Sequence, residues 1–532
     1  MIDRHHGTSR SPLWRLALVA LLTLGLGLGL AQAQRTLVIG QHIEFTSLDP
    51  HRTSSPVDGI LLGGVFDSLI TRDGVTGTMY PHLATSWSVS DDGLVWTFEL
   101  RDDVTFHDGE PFDAEAAAFN FLRIIDPATQ SQNARFDVGP LIDARAVGSH
   151  TVELVFSEPY GPLPSALAQY PFGMVSPRAA QELGVDFGRA PVGTGPYRFV
   201  EWVDGQSVTV ERNPDYAWGN DMFHGDEVYY DRITFRFIAE NSTRAAALRT
   251  GELDVAIWLT ARDFVDFDGD ARFETHASSR WGYPPASLHV NVSKAPTDDV
   301  LVRRALIHAT DMDLVIDVVY EGIVPRSGGM VSVSDTFYEP AAGEMYPYDP
   351  ERAGELLDEA GWTLGSDGFR ARDGERLQIV YLTLPQYAAE AEVVEAEWRR
   401  IGIDVEVLVQ ANPQQQATAQ SSAHNVVYSS WGGFDPSSLR GRYGSENVGT
   451  GWNFSFYENP VVDELFTRSV AETDQAVRAE IFSELQMTLM GDAVLIPLNN
   501  TSVLTAARSG ITGFEPLDAN GFWSKVYNLR EE

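Results

Sequence analysis

The sequence predicts a two-lobed α/β protein, and three observations carry that prediction. Up to about residue 290, short strands alternate apolar and polar residues around tight turns. Beyond it, helices with one apolar face alternate with apolar strands. The length of 532 residues, at roughly 150 per domain, allows about three compact units, and 43 % hydrophobic with 21 % charged residues excludes a disordered or all-membrane chain. Two textures in one globular chain imply two lobes of mixed architecture.

The elements follow in order. Arg4, Arg10 and Arg15 precede the apolar run 16–30, which ends at Ala31-Gln32-Ala33. This is the pattern of a secretory signal peptide over residues 1–33, with cleavage expected after Ala33; the run is too short and glycine-broken for a comfortable spanning helix. Residues 35–40 read as a buried strand. Trp87–Val89 and Leu94–Leu100 flank Asp91-Asp92-Gly93 and predict an antiparallel hairpin, and Tyr197–Trp202 and Ser207–Arg212 around Asp204-Gly205 predict a second. Asp349-Pro350 offers an N-cap and a first-turn proline to a helix whose Ala353, Leu356, Leu357 and Ala360 share one face, with Gly361 as its left-handed stop. A strand over 377–384, a helix over 387–400 and a strand over 403–409 make a crossover unit with parallel strands.

The formal charge is −37, and two lysines stand against 36 arginines. Phosphate contacts need a basic face, so a nucleic-acid partner is excluded. With no cysteine, disulfides, thiolate metal sites, cysteine nucleophiles and cysteine-linked lipid anchors are all absent. Gly-x-Ser-x-Gly, a phosphate loop and His-Glu-x-x-His are missing, and neither lysine follows the glycine a phosphate loop requires. His107-Asp108 with Glu110 fits a turn better than a metal site, and the paired acids Asp91-Asp92, Asp102-Asp103 and Asp298-Asp299 fit a solvated surface better than general acid/base chemistry. No metal or cofactor is expected.

A binding cleft needs rings and polar groups on loops. Trp281 and Tyr283 lie near the change of texture; Tyr428, Trp431 and Phe434 cluster; Trp452, Phe454, Phe456 and Tyr457 follow. Most such rings serve cores. Trp431-Gly432-Gly433-Phe434-Asp435-Pro436 differs, because two glycines and Asp-Pro make a loop, where bulky rings seldom sit without use.

Several segments resemble one family. They include Pro81-His-Leu-Ala-Thr-Ser-Trp87, the stretch from Asp91 to Arg101, Val104-Thr-Phe-His-Asp-Gly-Glu-Pro-Phe112, Gly193-Thr-Gly-Pro-Tyr197 and Glu211-Arg-Asn-Pro-Asp-Tyr216. Asp298 through Ala305, Tyr348 through Gly361 and Ile496-Pro497-Leu498 continue the series in order. Together they are similar to the extracytoplasmic solute-binding proteins of ATP-driven importers, family 5, the branch that carries peptides and nickel complexes. The resemblance implies a periplasmic-binding-protein fold with a cleft and hinge and a discontinuous first lobe. Mapped onto this sequence, lobe one is about 34–280 plus 500–532, with a hairpin-rich subdomain inserted at about 75–190, and lobe two is 281–499. The hinge crossings then fall near 279–290 and 495–505.

The resemblance further implies a non-enzymatic periplasmic protein, monomeric, that delivers a small-molecule or oligopeptide ligand to a membrane permease. Ser54, Ser55, Phe136, Trp281, Tyr283, Tyr428, Trp431 and Phe434 are the cleft candidates carried over by position, with Asp435 touching ligand or orienting the loop. Peptide-binding relatives carry an aspartate three residues after the cleft tryptophan; here that position is Phe434. A buried ammonium without a carboxylate is costly, so a neutral or stacked ligand such as an oligosaccharide stays open beside a peptide or a metal chelate. The rivals are a secreted hydrolase using two acids and a sensor that presents its ligand to a receptor.

Overall fold

The computed structural model describes residues 1–2 and 34–532, apart from 75–76, 221–227, 280–284, 334, 431–432, 434, 501 and 515–525. The expected leader, at residues 3–33, lies outside them. Two main sheets organise the chain. The first has seven strands in the order Phe273–Ser279, Ser502–Arg508, Val255–Ala256, Thr36–Gln41, Arg232–Phe237, Ser207–Arg212 and Tyr197–Val203. Thr36–Gln41 sits near its middle, parallel to both neighbours, which is why its sequence is a nearly unbroken apolar run. Hairpin patterning did not disclose those parallel pairs, because partners almost 200 residues apart share no local turn signal. Ser502–Arg508, from the end of the chain, is antiparallel to both strands beside it.

Both expected hairpins form. Ala84–Val89 pairs antiparallel with Val95–Leu100, and Tyr197–Val203 with Ser207–Arg212. The first hairpin belongs to a separate four-stranded antiparallel sheet completed by Thr151–Phe156 and Leu141–Ala146. Trp96, Phe98, Leu100, Val152 and Leu154 are buried, and helix Ala114–Ile125 packs on this sheet. That helix starts where Asp113 accepts a hydrogen bond from the Ala116 amide at 2.9 Å.

The second main sheet has five strands in the order Asp404–Val409, Gln378–Thr383, Val426–Ser429, Ser287–Val290 and Leu495–Pro497. Gln378–Thr383 and Asp404–Val409 run parallel, joined by helix Ala388–Arg400, so the expected crossover unit is present. Trp398 on that helix is fully buried and donates its indole N–H to Thr310 Oγ1 at 3.0 Å. Helix Pro350–Glu359 is capped as its sequence requires, Asp349 accepting from the Arg352 amide at 2.9 Å, and Gly361 follows at φ 85°. Among the described residues no helix is long and apolar enough to cross a membrane.

The chain passes from the seven-stranded to the five-stranded sheet after Ser279 and back after Pro497. Beside the return crossing, Glu390 is buried and accepts a hydrogen bond from the Tyr320 hydroxyl. Burial drives its carboxyl up to about 7 although Tyr320 and Asn499 favour the ionised form. The folded protein therefore holds this proton more tightly than the unfolded chain does. The contribution of this group to stability is highest below the ordinary value of 4.5, falls as pH rises toward 7 and is level above. Glu390→Gln keeps the acceptor for Tyr320 and removes the charge. In urea denaturation the variant is expected to exceed the parent by about 1–3 kcal/mol at pH 8 and to match it near pH 4.5; a variant less stable at pH 8 would refute the reading.

Candidate functional site

A cavity of about 310 Å³ has walls that come from distant parts of the sequence. One wall is Phe136, Asp137, Gly139, Tyr160, Pro162 and Ala166; the other is Asp435, Ser437, Ser438, Arg440, Gly441, Glu446, Asn447 and Val470. Phe136 and Asp137 end the short helix Asn133–Asp137, and the Tyr160 hydroxyl donates to the Asp137 carbonyl at 2.9 Å. Phe136 is 71 % exposed, a large ring with no core to serve.

The opposite wall is built on Asp435. Its Oδ1 accepts from the Ser437 amide at 3.0 Å, capping the turn Pro436–Leu439, and from Arg478 Nη2 at 2.7 Å. Arg478 is fully buried; it also donates to the Ser469 carbonyl and Gln475, and its guanidinium lies 5.1 Å from the Phe337 ring centroid. Burial pushes the Asp435 carboxyl up, but the charge and hydrogen bond of Arg478 hold it below its ordinary value. Its second oxygen, Oδ2, is buried with no hydrogen-bond partner. Across the cavity, burial and then the charge of Asp435 push Asp137 up to about 7. The site thus offers an aromatic wall, one firmly ionised carboxylate and one held near neutrality.

Among the described residues the two walls share a backbone hydrogen bond. The Gly161 amide donates to the Val470 carbonyl at 2.8 Å. A Cβ on Gly161 would stand 1.7 Å from the Glu472 carbonyl oxygen, so only glycine permits this approach. A second cavity of about 520 Å³ is walled largely by apolar groups that include Met79, Trp87, Val89, Trp96 and Phe337. It is the larger of the two and is likewise walled from both lobes, but two residues expected at the site, Phe136 and Asp435, border the first.

Of the residues expected at the site, the structure brings Phe136 and Asp435 to one cavity. Ser54 is exposed and Ser55 half-buried in the loop before Pro56–Asp58, and neither lines it. Tyr428 is 3 % exposed within the core of the five-stranded sheet, its ring stacked on Tyr387 at 4.0 Å, and it too is absent from the wall. Trp281, Tyr283, Trp431 and Phe434 lie outside the described residues. Sequence reading missed Asp137, Tyr160 and Gly161. The signal was available for Tyr160: a ring followed by Gly161-Pro162 in a loop has the same character as Trp431-Gly432. Among the described residues no group of three His, Asp or Glu side chains is placed to hold a metal ion.

Comparison with known proteins agrees with this architecture. Residues 78–450 match the family described as bacterial extracellular solute-binding proteins, family 5 Middle. The chain is 28 % identical to the nickel-binding periplasmic protein of Escherichia coli over 519 residues, covering 93 % of this chain and 94 % of that one. It is equally 28 % identical to the glutathione-binding protein GsiB of Escherichia coli over 504 residues, covering 92 % and 94 %. Among solved structures, NikA from Brucella suis in complex with Fe(III)-EDTA superimposes with a TM-score of 0.80 at 26 % identity, covering 93 % of this chain and all of that one.

The Gly161 contact gives a test of what brings the walls together. Gly161→Ala adds one methyl group where none fits, and overpacking of that kind costs about 1–3 kcal/mol. The cost falls only on the state in which the lobes meet. A bound solute should therefore be held about ten-fold or more weakly by calorimetric titration, with the ligand-free melting temperature unchanged. Unaltered affinity would show that the walls need not touch.

Proposed function

The chain belongs to family 5 of the bacterial extracellular solute-binding proteins, and from that premise we propose that it captures a small solute between its lobes and delivers it to the membrane permease of an ATP-driven importer. The observation that carries this reading is a cavity whose two walls, residues 136–166 and 435–470, lie on opposite sides of the crossing between the two main sheets in the chain. A solute that touches both walls favours the closed arrangement, because only there are all its contacts made. We take residues 34–280 with 500–532 as one lobe, 281–499 as the other and about 75–190 as an inserted subdomain, with the crossings near 279–290 and 495–505.

A peptide or peptide-like solute is the preferred cargo, supported by the relative named as glutathione-binding; a metal chelate is the alternative, supported by the nickel-binding relative. Phe136 and Asp435 are assigned to ligand contact, with Trp431 and Phe434 of the loop that ends at Asp435. The protein acts outside the cytoplasm, as a monomer, after removal of residues 1–33, and transforms nothing. One observation favours a second reading, a hydrolase with two acids: Asp137 and Asp435 border one cavity, and their carboxyls are pushed in opposite directions. Against it, one Asp435 oxygen is already committed to Arg478 and the Ser437 amide.

Thermal-shift titration and small-angle scattering with tri-alanine, glutathione, nickel(II)–histidine and maltotriose, alongside mass-spectrometric assay for products, separate the two. The proposal expects saturable stabilisation and compaction by a member of one class, with no product. Phe136→Ala should weaken that binding about ten-fold while shifting ligand-free stability by less than about 0.5 kcal/mol, since the ring is mostly exposed. Product formation, or stabilisation without compaction, would contradict the proposal.

A further inference from the structure

The hairpin of Ile70–Arg72 and Met79–Pro81 in the first lobe reaches the turn at 335–337 in the second. Its register sets Arg72 opposite Met79, and Met79 lines the cavity of about 520 Å³ together with Thr336 and Phe337. Asp335 Oδ1 accepts from the Phe337 amide at 2.9 Å, which fixes the carboxyl to this turn. Both charged side chains are buried, Arg72 at 1 % exposure and Asp335 at 7 %. Burial raises the Asp335 carboxyl to about 6, against the Phe337 amide and then the charge of Arg72. Asp435 and Arg478 act on it with opposite signs, and those two are bonded to each other at 2.7 Å. The balancing cation for Asp335 therefore comes from the other lobe.

A buried charge without a counter-charge is strongly destabilising, whereas a complete buried pair adds little net stability because desolvation offsets its attraction. The raised Asp335 carboxyl shows that offset, burial outweighing the arginine. Such a pair discriminates: it penalises every placement of the lobes that buries one charge away from the other. The apolar groups along the same seam, Met79, Trp87 and Phe337, do not discriminate in this way, since hydrophobic burial has no direction. Neither Arg72 nor Asp335 lines the cavity of about 310 Å³, so the pair acts on the site through the placement of its walls.

We propose that Arg72 and Asp335 register the closure of the lobes: the protein shuts in the one arrangement that sets the guanidinium of the first lobe against the carboxylate of the second. Both are positioning residues. This rests on the hinged-capture reading above and adds to it a device carried by the chain's own side chains, independent of the class of solute bound.

The chain has no cysteine, so spin labels go only where cysteine is introduced: Val147→Cys and Val461→Cys, both exposed and on opposite lobes. Double electron–electron resonance then separates a short-distance, closed population from a long-distance, open one. It is recorded with and without tri-alanine, glutathione or nickel(II)–histidine for the parent, Arg72→Met, Asp335→Asn, the double variant and Arg72→Lys. Asparagine keeps an acceptor for the Phe337 amide and methionine an unbranched stem, so charge is what changes, and circular dichroism establishes that each variant folds. Each single removal should lower the closed-to-open ratio about ten-fold or more. The double variant, with neither charge left unbalanced, should regain the parent ratio to within about three-fold. Arg72→Lys keeps the charge and should stay near the parent; with Asp335→Asn it decides the matter if Arg72→Met does not fold. Single variants as closed as the parent, or a double variant whose loss is the product of the two, would overturn registration. If a probe shifts the parent to the short distance while the variant cycle stays flat, hinged capture stands and the charge pair alone fails. One unchanging distance in every variant and with every probe would remove both.

Discussion

A site with walls on two bodies exists only while those bodies touch, and that constraint orders the rest of this molecule. The main-chain bond from Gly161 to Val470 is where it is met most closely, since a single methyl group at Gly161 would collide with the Glu472 carbonyl. Strand Thr36–Gln41 anchors one sheet through parallel partners on both flanks, the crossover around helix Ala388–Arg400 anchors the other, and the chain passes between them after Ser279 and after Pro497. Rigid sheets with thin connections are what a hinge requires.

Arginine does the interior electrostatic work in a chain with almost no lysine. Arg244 is fully buried and donates to the carbonyls of Ile257 and Ile238 at 2.9 and 2.7 Å. Arg303 ties Asp492 to Thr297 through their carbonyls at 3.0 Å, and Arg478 fastens the Asp435 loop to helix Gln475–Gly491. A planar fork of five donors suits such tasks, which a single ammonium could not perform. The strong negative charge of the sequence thus has two parts: most acids are solvated, while a few are set against buried guanidiniums.

Local signals were legible and long-range ones were not. Asp349-Pro350 and Gly361 marked the two ends of one helix, and Asp91-Asp92-Gly93 marked a hairpin, because caps and turns are decided by neighbouring residues. The parallel pairing of Thr36–Gln41 with Arg232–Phe237 left no local trace. The site divides in the same way. Phe136 and Asp435 were named in advance and share the cavity, whereas Tyr428 fills the core against Tyr387, as an aromatic residue in an apolar strand commonly does. Asp137, Tyr160 and Gly161 acquire meaning only from what the other lobe places opposite them, and no spacing along the chain records that.

The most direct measurement is a crystal structure of the protein with the solute that accompanies it through purification, identified by mass spectrometry from the same crystals. The account predicts a molecule lodged between Phe136 and Tyr160 on one side and the Asp435 loop on the other, touching both. A solute confined to a single lobe, or lying elsewhere while this cavity holds only solvent, would contradict it.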